Sequence, residues 1–494
     1  MVPPFRSKIG PASRWPTPST EYGPILATAQ ALGGYPANRP RKRARLRVVR
    51  WWLRWLDKQG AGDAVGVPIA DGVSLHRSPG MNWQLVGAAA ATGVAAGIAG
   101  IGLSLLLHLV QHLAFGYTEE TFLTGVEQAT ATRRVLALTI GGLIVGTGWW
   151  ALRRSARTVP SVEQVLADPG RALPSVLVTV DAALQIVAVG AGASLGREGA
   201  PRQVGAILGH LLATRMGLTA AQRRTIVACG AGSGLAAVYN VPLGGALFTL
   251  EILLSSAALS DVVPALLSSA VATATTWPIL SNRPTYAVPT VAMHPALLVW
   301  ALLIGPCAGA VGLGFVRLIA AARARTPTGW RLAASIPVTF TVVGAVAIAY
   351  PQLLGNGKGP AQLAFDGTLS LLVLGILVAL KPLATAVCLA GGASGGLLTP
   401  ALATGAMFGA LAGGAWSLLW PGAAIAAYAI VAAAAVLATT QKAPLCAIVL
   451  VLEFTHTGLE LAVPTLLAVV GALLTASLLG EFLSTRAGPT VARS

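Results

Sequence analysis

"GASLGREGAPRQVGAILG", residues 192–209, sets an arginine and a glutamate between glycines in a chain made mostly of Ala, Leu, Val and Gly. A second stretch, "GASGGLLTPALATGAMFG" at 392–409, repeats its frame. Gly-Ala-Ser opens both, at 192–194 and 392–394; Pro201 answers to Pro400; "GAILG" at 205–209 answers to "GAMFG" at 405–409. Further on, "NVPLGGALFTLE" at 240–251 answers to "KAPLCAIVLVLE" at 442–453, which aligns Pro242 with Pro444 and Glu251 with Glu453. Gly and Ala are too common here for one match to count. Correspondences in one order, separated by 199 to 202 residues, identify a tandem duplication.

The medium in which this chain folds follows from its composition. Of 494 residues, 55% are hydrophobic and 10% charged, against roughly 25% charged in a soluble domain. Apolar runs recur at 85–115, 134–152, 172–193, 225–257, 262–280, 293–322, 333–355, 369–391, 421–439 and 460–483, and a run of about 20 residues crosses the hydrocarbon of a bilayer. The expectation is an all-α, polytopic membrane protein. Several runs are interrupted at "GREGAP", "NVPLGG", "ASGGLLTP" and "QKAPL". Broken helices at membrane depth survive only against protein or a water-filled cavity, so they point to a transport path.

Duplicated transporters commonly pair their halves about a pseudo-two-fold axis, with the substrate where equivalent broken helices meet. Periodicity alone does not separate inverted from parallel repeats. In the inverted case the helix starts near "GREGAP" and "GGLLTP" face each other. Each offers unpaired N–H groups and about half a positive charge, which suits an anion. The plain alternative is that the Gly-Pro clusters are only packing kinks. Glu198 counts against it, because a charge on a broken span usually marks a pathway.

The formal net charge of +17 is unevenly spread. Residues 1–80 hold thirteen Lys or Arg against four Asp or Glu, most of them in "RPRKRARLRVVRWWLRWLDK" at 39–58. This basic, Trp-bearing stretch reads as an amphipathic helix on anionic lipid at the cytoplasmic face, rather than as a nucleic-acid site. The Pro- and Gly-rich residues before it are expected to be disordered. No cleavable signal is seen, and Met81 offers a later start. Cys229, Cys307, Cys388 and Cys446 read as buried free thiols, and the six His form no metal motif.

Taken with their order and spacing, "GREGAP", "NVPLGGALFTLE", "GGLLTP" and "APLCAIVLVLEFT" resemble the signature segments of the CLC family of chloride channels and proton-coupled chloride transporters. The resemblance implies a homodimer with one pore per subunit, each built from an inverted repeat of many tilted, partly broken transmembrane helices. It divides the chain into a basic cytoplasmic segment at 1–80, a first membrane repeat at 81–285, a second at 286–485 and a short tail at 486–494, with both termini cytoplasmic. It implies a gating role for Glu198, central anion donors at the backbone of Leu397 and Leu398, and outer donors around Arg197, Glu198, Gly199 and Thr399. Arg197 reads equally as a field-setting cation or as a member of an external ion-pair network.

The chain departs from that pattern in several places. The family's pore serine falls on Arg157, with Thr158 the nearest hydroxyl; its pore Phe is Leu398; and no Tyr follows Tyr428. The inner proton-carrying glutamate falls on Ile252, beside Glu251, which either substitutes in a proton pathway or, like Glu453, satisfies a helix end or a dimer contact. The chain ends soon after the last run, so the paired nucleotide-sensing domains of some relatives are not expected. The resulting expectation is a transporter, not an enzyme, with no cofactor besides the transported anion, chloride foremost, and proton antiport left open. The rivals are a passive channel, an exchanger of altered selectivity for fluoride or nitrate, and a non-transporting scaffold or sensor.

Overall fold

The computed structural model describes residues 82–117, 121–155, 160–168, 174–289 and 291–486, with side chains through 482. The basic stretch 39–58, Met81, Arg157 and Thr158 lie outside the described residues. The first half runs α1 (Trp83–Phe115), α2 (Phe122–Gln128), α3 (Ala131–Ser155), α4 (Val162–Ala167), α5 (Ser175–Gly190), α6 (Gly199–Arg215), α7 (Ala220–Tyr239), α8 (Pro242–Leu247, prolonged by a π-helical turn Phe248–Leu254) and α9 (Leu259–Leu280). The second half repeats the series, without an equivalent of α2, as α10 (Pro295–Arg323), α11 (Arg331–Val346), α12 (Lys358–Asp366), α13 (Leu371–Ala390), α14 (Leu398–Ser417), α15 (Ile425–Gln441), α16 (Pro444–Thr455) and α17 (Ala462–Arg486).

Local chemistry explains where these helices begin and end. Asn82 caps α1 by accepting from Leu85 N, Ser161 and Thr219 form capping boxes with Gln164 and Gln222, and proline opens α8, α10 and α16. The halves also share left-handed turns. Gly192 (φ 106) matches Gly392 (φ 99), Asn240 (φ 57) matches Lys442 (φ 55), and Ser255 (φ 49) matches His456 (φ 47). At the two glycines a side chain would be strained.

The breaks differ in detail from the apolar runs. The run 225–257 is two helices, parted at Asn240, whose side-chain Oδ1 accepts from Trp277 Nε1. α14 is one of seven helices among the described residues that are long and apolar enough to cross a bilayer, yet it belongs to none of the runs, because Thr, Gly and Ala dilute its leucines. α5 and α11, at 16 residues each, and α15, at 17, are too short to span alone: at 1.5 Å per residue they reach about 25 Å of the roughly 30 Å needed. Cys307 is exposed on α10, while the other three thiols are buried. An apolar position in a membrane helix faces lipid as readily as protein.

Lipid removes the hydrophobic drive between helices, so close backbone packing must hold them together. A Cβ on Gly205 of α6 would strike the carbonyl of Gly230 on α7, and one on Gly234 would strike the carbonyl of Pro201. The second half does the same at Gly405 and Gly409 of α14 against α15. α7 and α15 are thereby buried on nearly every side. Around them the halves meet about a pseudo-two-fold axis, and the inverted repeat brings the broken segments of both to its centre.

Candidate functional site

At that centre Gly196 and Gly396 exchange backbone hydrogen bonds, N to O, at 2.8 Å in both directions. α6 starts at Gly199 and α14 at Leu398, just beyond the bridge. Glu198 is the N-cap residue of α6 but does not cap it. Its side chain crosses to the other half: Oε1 accepts from Leu398 N at 2.6 Å, and Oε2 accepts from Thr399 Oγ1 at 3.1 Å. Tyr239 Oη lies 3.2 Å from Oε2 and 2.8 Å from Thr399 Oγ1, so its one proton serves either acceptor.

The carboxylate is 1% exposed, and among the described residues the one ion pair is Arg202–Glu163, elsewhere. A buried, unpaired carboxylate is costly, and here the positive end of α14 and two hydroxyls hold it. The glycines make this geometry attainable. A Cβ on Gly196 would strike both carboxylate oxygens, and one on Gly396 would strike Oε1 and Cδ.

Of the candidate site residues singled out in the sequence, all but Thr158 have a described place. Leu398 gives its amide, Thr399 gives its hydroxyl, and Leu397 and Gly199 line the cavity that reaches Glu198. Arg197 forms no ion pair among the described residues: its guanidinium stacks 4.8 Å from the Tyr239 ring and donates to Val238 O at 3.0 Å. It therefore steadies Tyr239 rather than contacting the carboxylate. Thr158 lies outside the described residues.

Glu251 is held on a helix end: Oε2 accepts from Cys446 N at 2.6 Å and Oε1 from Leu445 N at 3.2 Å. Glu453 mirrors it, accepting from Gly244 N at 2.6 Å and Leu243 N at 2.9 Å. Each repeat thus caps a helix of the other. Ile252 packs against the core.

A cavity of about 810 Å³ opens from the protein surface to Glu198. Arg153, Arg202 and Arg323 stand in its wall with Glu163 and Asp181. Desolvation pushes the Glu163 carboxyl up, but the Arg202 guanidinium and hydrogen bonds at the start of α4 outweigh it and hold the group below the usual carboxylate range. Two residues near Glu198 or in its cavity were not singled out by the sequence. Tyr239 offered the signal of a polar-tipped aromatic ending an apolar run, and Asp181 that of an acid inside one.

The family described as voltage gated chloride channel matches residues 141–477. A protein of Ralstonia nicotianae described as a ClcB-like chloride channel protein is 32% identical over 364 residues, covering 70% of this chain and 83% of its own. The H(+)/Cl(−) exchange transporter ClcA of Vibrio campbellii is 26% identical over 408 residues, covering 79% and 86%. Among solved structures, a slow cyanobacterial Cl−/H+ antiporter superposes with a TM-score of 0.72 at 22% identity, covering 84% of this chain and 100% of that one. A CLC-type fluoride/proton antiporter does so with a TM-score of 0.64 at 18% identity, covering 81% and 98%.

Proposed function

The chain belongs to the voltage gated chloride channel family, and from that premise we propose that it carries a small monovalent anion, chloride foremost, across the cytoplasmic membrane through a path gated by Glu198. The observation that carries this reading is the Glu198 carboxylate itself, seated on the start of α14 without a cation. A carboxylate is a tethered anion, so the donors that hold it also attract a free anion, and the two compete. Protonation removes the charge, weakens the bond from Leu398 N and lets the side chain leave. The anion then takes the amide of Leu398 and the hydroxyls of Thr399 and Tyr239.

That donor set also favours a second reading, altered preference among anions, since both hydroxyls come from residues other than the family's pore Ser and Tyr. The arginines in the cavity wall, Arg153, Arg202 and Arg323, support a cytoplasmic mouth by the positive-inside rule. A homodimer is proposed on the exposed Leu243 and Leu445, which begin α8 and α16 beside the reciprocal caps. Contact of residues 39–58 with anionic lipid is proposed on their charge and tryptophans.

The test is anion efflux from proteoliposomes with pH recorded, for the parent and Glu198→Gln. The parent should release chloride, faster at acid than at alkaline pH, and Glu198→Gln should lose that dependence. Absence of flux with chloride, fluoride and nitrate alike would overturn transport. Parallel runs with the three anions rank the preference.

A further inference from the structure

A second titratable group on the cavity side can take up a proton and pass it to Glu198, and the position at which the family resemblance places one is Ile252. Glu251 and Glu453 have both oxygens on helix amides, and Glu163 is spent on Arg202. One more acid lines the cavity, Asp181 on α5. We propose that Asp181 is the inner proton acceptor, which takes protons from the cavity and passes them to Glu198. The proposal rests on the reading of Glu198 as the gate.

Asp181 is 6% exposed, and its three described partners are neutral. Oδ1 accepts from Trp149 Nε1 at 2.8 Å, and Oδ2 accepts from Gln185 Nε2 at 2.8 Å and Gln203 Nε2 at 3.0 Å. Retaining an acid there is expensive, and as a packing device it is replaceable. An asparagine has the same shape, and its carbonyl accepts from Trp149 as well; the glutamine amides can turn to satisfy its NH2. A protonatable oxygen is what the asparagine lacks.

The duplication sharpens the argument. The residue equivalent to Asp181, 200 positions on, is Lys381, also buried, which donates to the carbonyls of Leu353 at 2.9 Å and Gly355 at 2.8 Å. The acid therefore belongs to the cavity side alone, as Glu198 does, and a role shared by both repeats does not account for it.

Gln185 links the two acids. Its amide nitrogen bonds Asp181, while its carbonyl oxygen lies so close to Gly199, the neighbour of Glu198, that a Cβ there would strike it. Both carboxylates line the same cavity, which is large and polar enough to hold water between them. A proton from the cavity converts Asp181 to its acid; an O–H bond then breaks there as one forms on Glu198, and Asp181 returns to the carboxylate. Glu198, now neutral, loosens from Leu398 N. Charged groups share these surroundings: Arg153 from α3, Arg202 from α6, Glu163 from α4 and Arg323 from α10. α1 meets α5 at Gly190 through Leu107 and Val110 and brings His108 and His112 as its titratable side chains.

The experiment reconstitutes the full chain and Asp181→Asn, and records chloride and proton movement together. Asp181→Asn should keep chloride flux while uphill proton movement falls by about a hundredfold, the scale of losing a proton-transfer group, and Asp181→Glu should retain coupling. An Asn variant that keeps the parent's proton-to-chloride ratio overturns the proposal. Should Asp181→Asn not elute like the parent in detergent, Asp181→Ser, which keeps a hydroxyl for Trp149, is read by the same two outcomes. A parent that moves chloride without protons overturns this proposal and leaves the anion path standing, whereas a parent that moves no anion removes the reading beneath it.

Discussion

Glu198 sits where it does because nothing but hydrogen stands on the α-carbons of Gly196 and Gly396. Gly396→Ala leaves the helices intact but fills the place of the carboxylate, so anion flux at alkaline pH should rise toward that of Glu198→Gln; a flux as low as the parent's there argues that the carboxylate does not block. Tyr239 acts at the same point with the opposite sign of contact. Its hydroxyl helps hold the carboxylate, and removing one such hydrogen bond to a charged group costs about 1.5–3 kcal/mol. Tyr239→Phe should therefore shift the flux–pH curve to alkaline pH, because the gate is released with less protonation; a curve superimposable on the parent's excludes the phenol from gating. Arg197 over the ring keeps that phenol in place, so its charge acts on Glu198 through an aromatic and not by direct contact.

Among elements, the pairing of α8 with α16 decides what Glu251 and Glu453 do. Each carboxylate ends one apolar helix and satisfies the first amides of its counterpart, where helix dipole and hydrogen bonding add. Glu251→Gln and Glu453→Gln should each cost about 1 kcal/mol of stability, the usual size of a helix cap, seen as a lower melting temperature in detergent, with the proton-to-chloride ratio unchanged. Loss of proton movement in Glu251→Gln with the melting temperature preserved would move the inner acceptor from Asp181 to Glu251. The short helices α5, α11 and α15 follow from the same economy of a folded membrane protein. They need not reach both surfaces, because neighbouring helices and the central cavity satisfy their ends.

For the molecule as a whole, the proposed orientation, with the cavity mouth to the cytoplasm, rests on the arginines in the cavity wall. In a Cys307→Ser background, Thr328→Cys, exposed in the turn between α10 and α11, should react with a membrane-impermeant maleimide from the cytoplasmic side only; labelling from outside reverses the assignment. The sequence by itself determined the membrane class, the duplication and the acid on a broken span, because each is a matter of composition or repetition along the chain. The family motif also singled out Leu398 and Thr399, which the structure sets against Glu198. Only the tertiary structure decided which donors meet Glu198, that Glu251 and Glu453 cap each other's helices, and that Asp181 shares a cavity with Glu198. These are contacts between residues 160 to 210 positions apart or on helices joined by no local pattern. In an apolar chain the side chains that face lipid and those that face a cavity read alike, and only folding tells them apart.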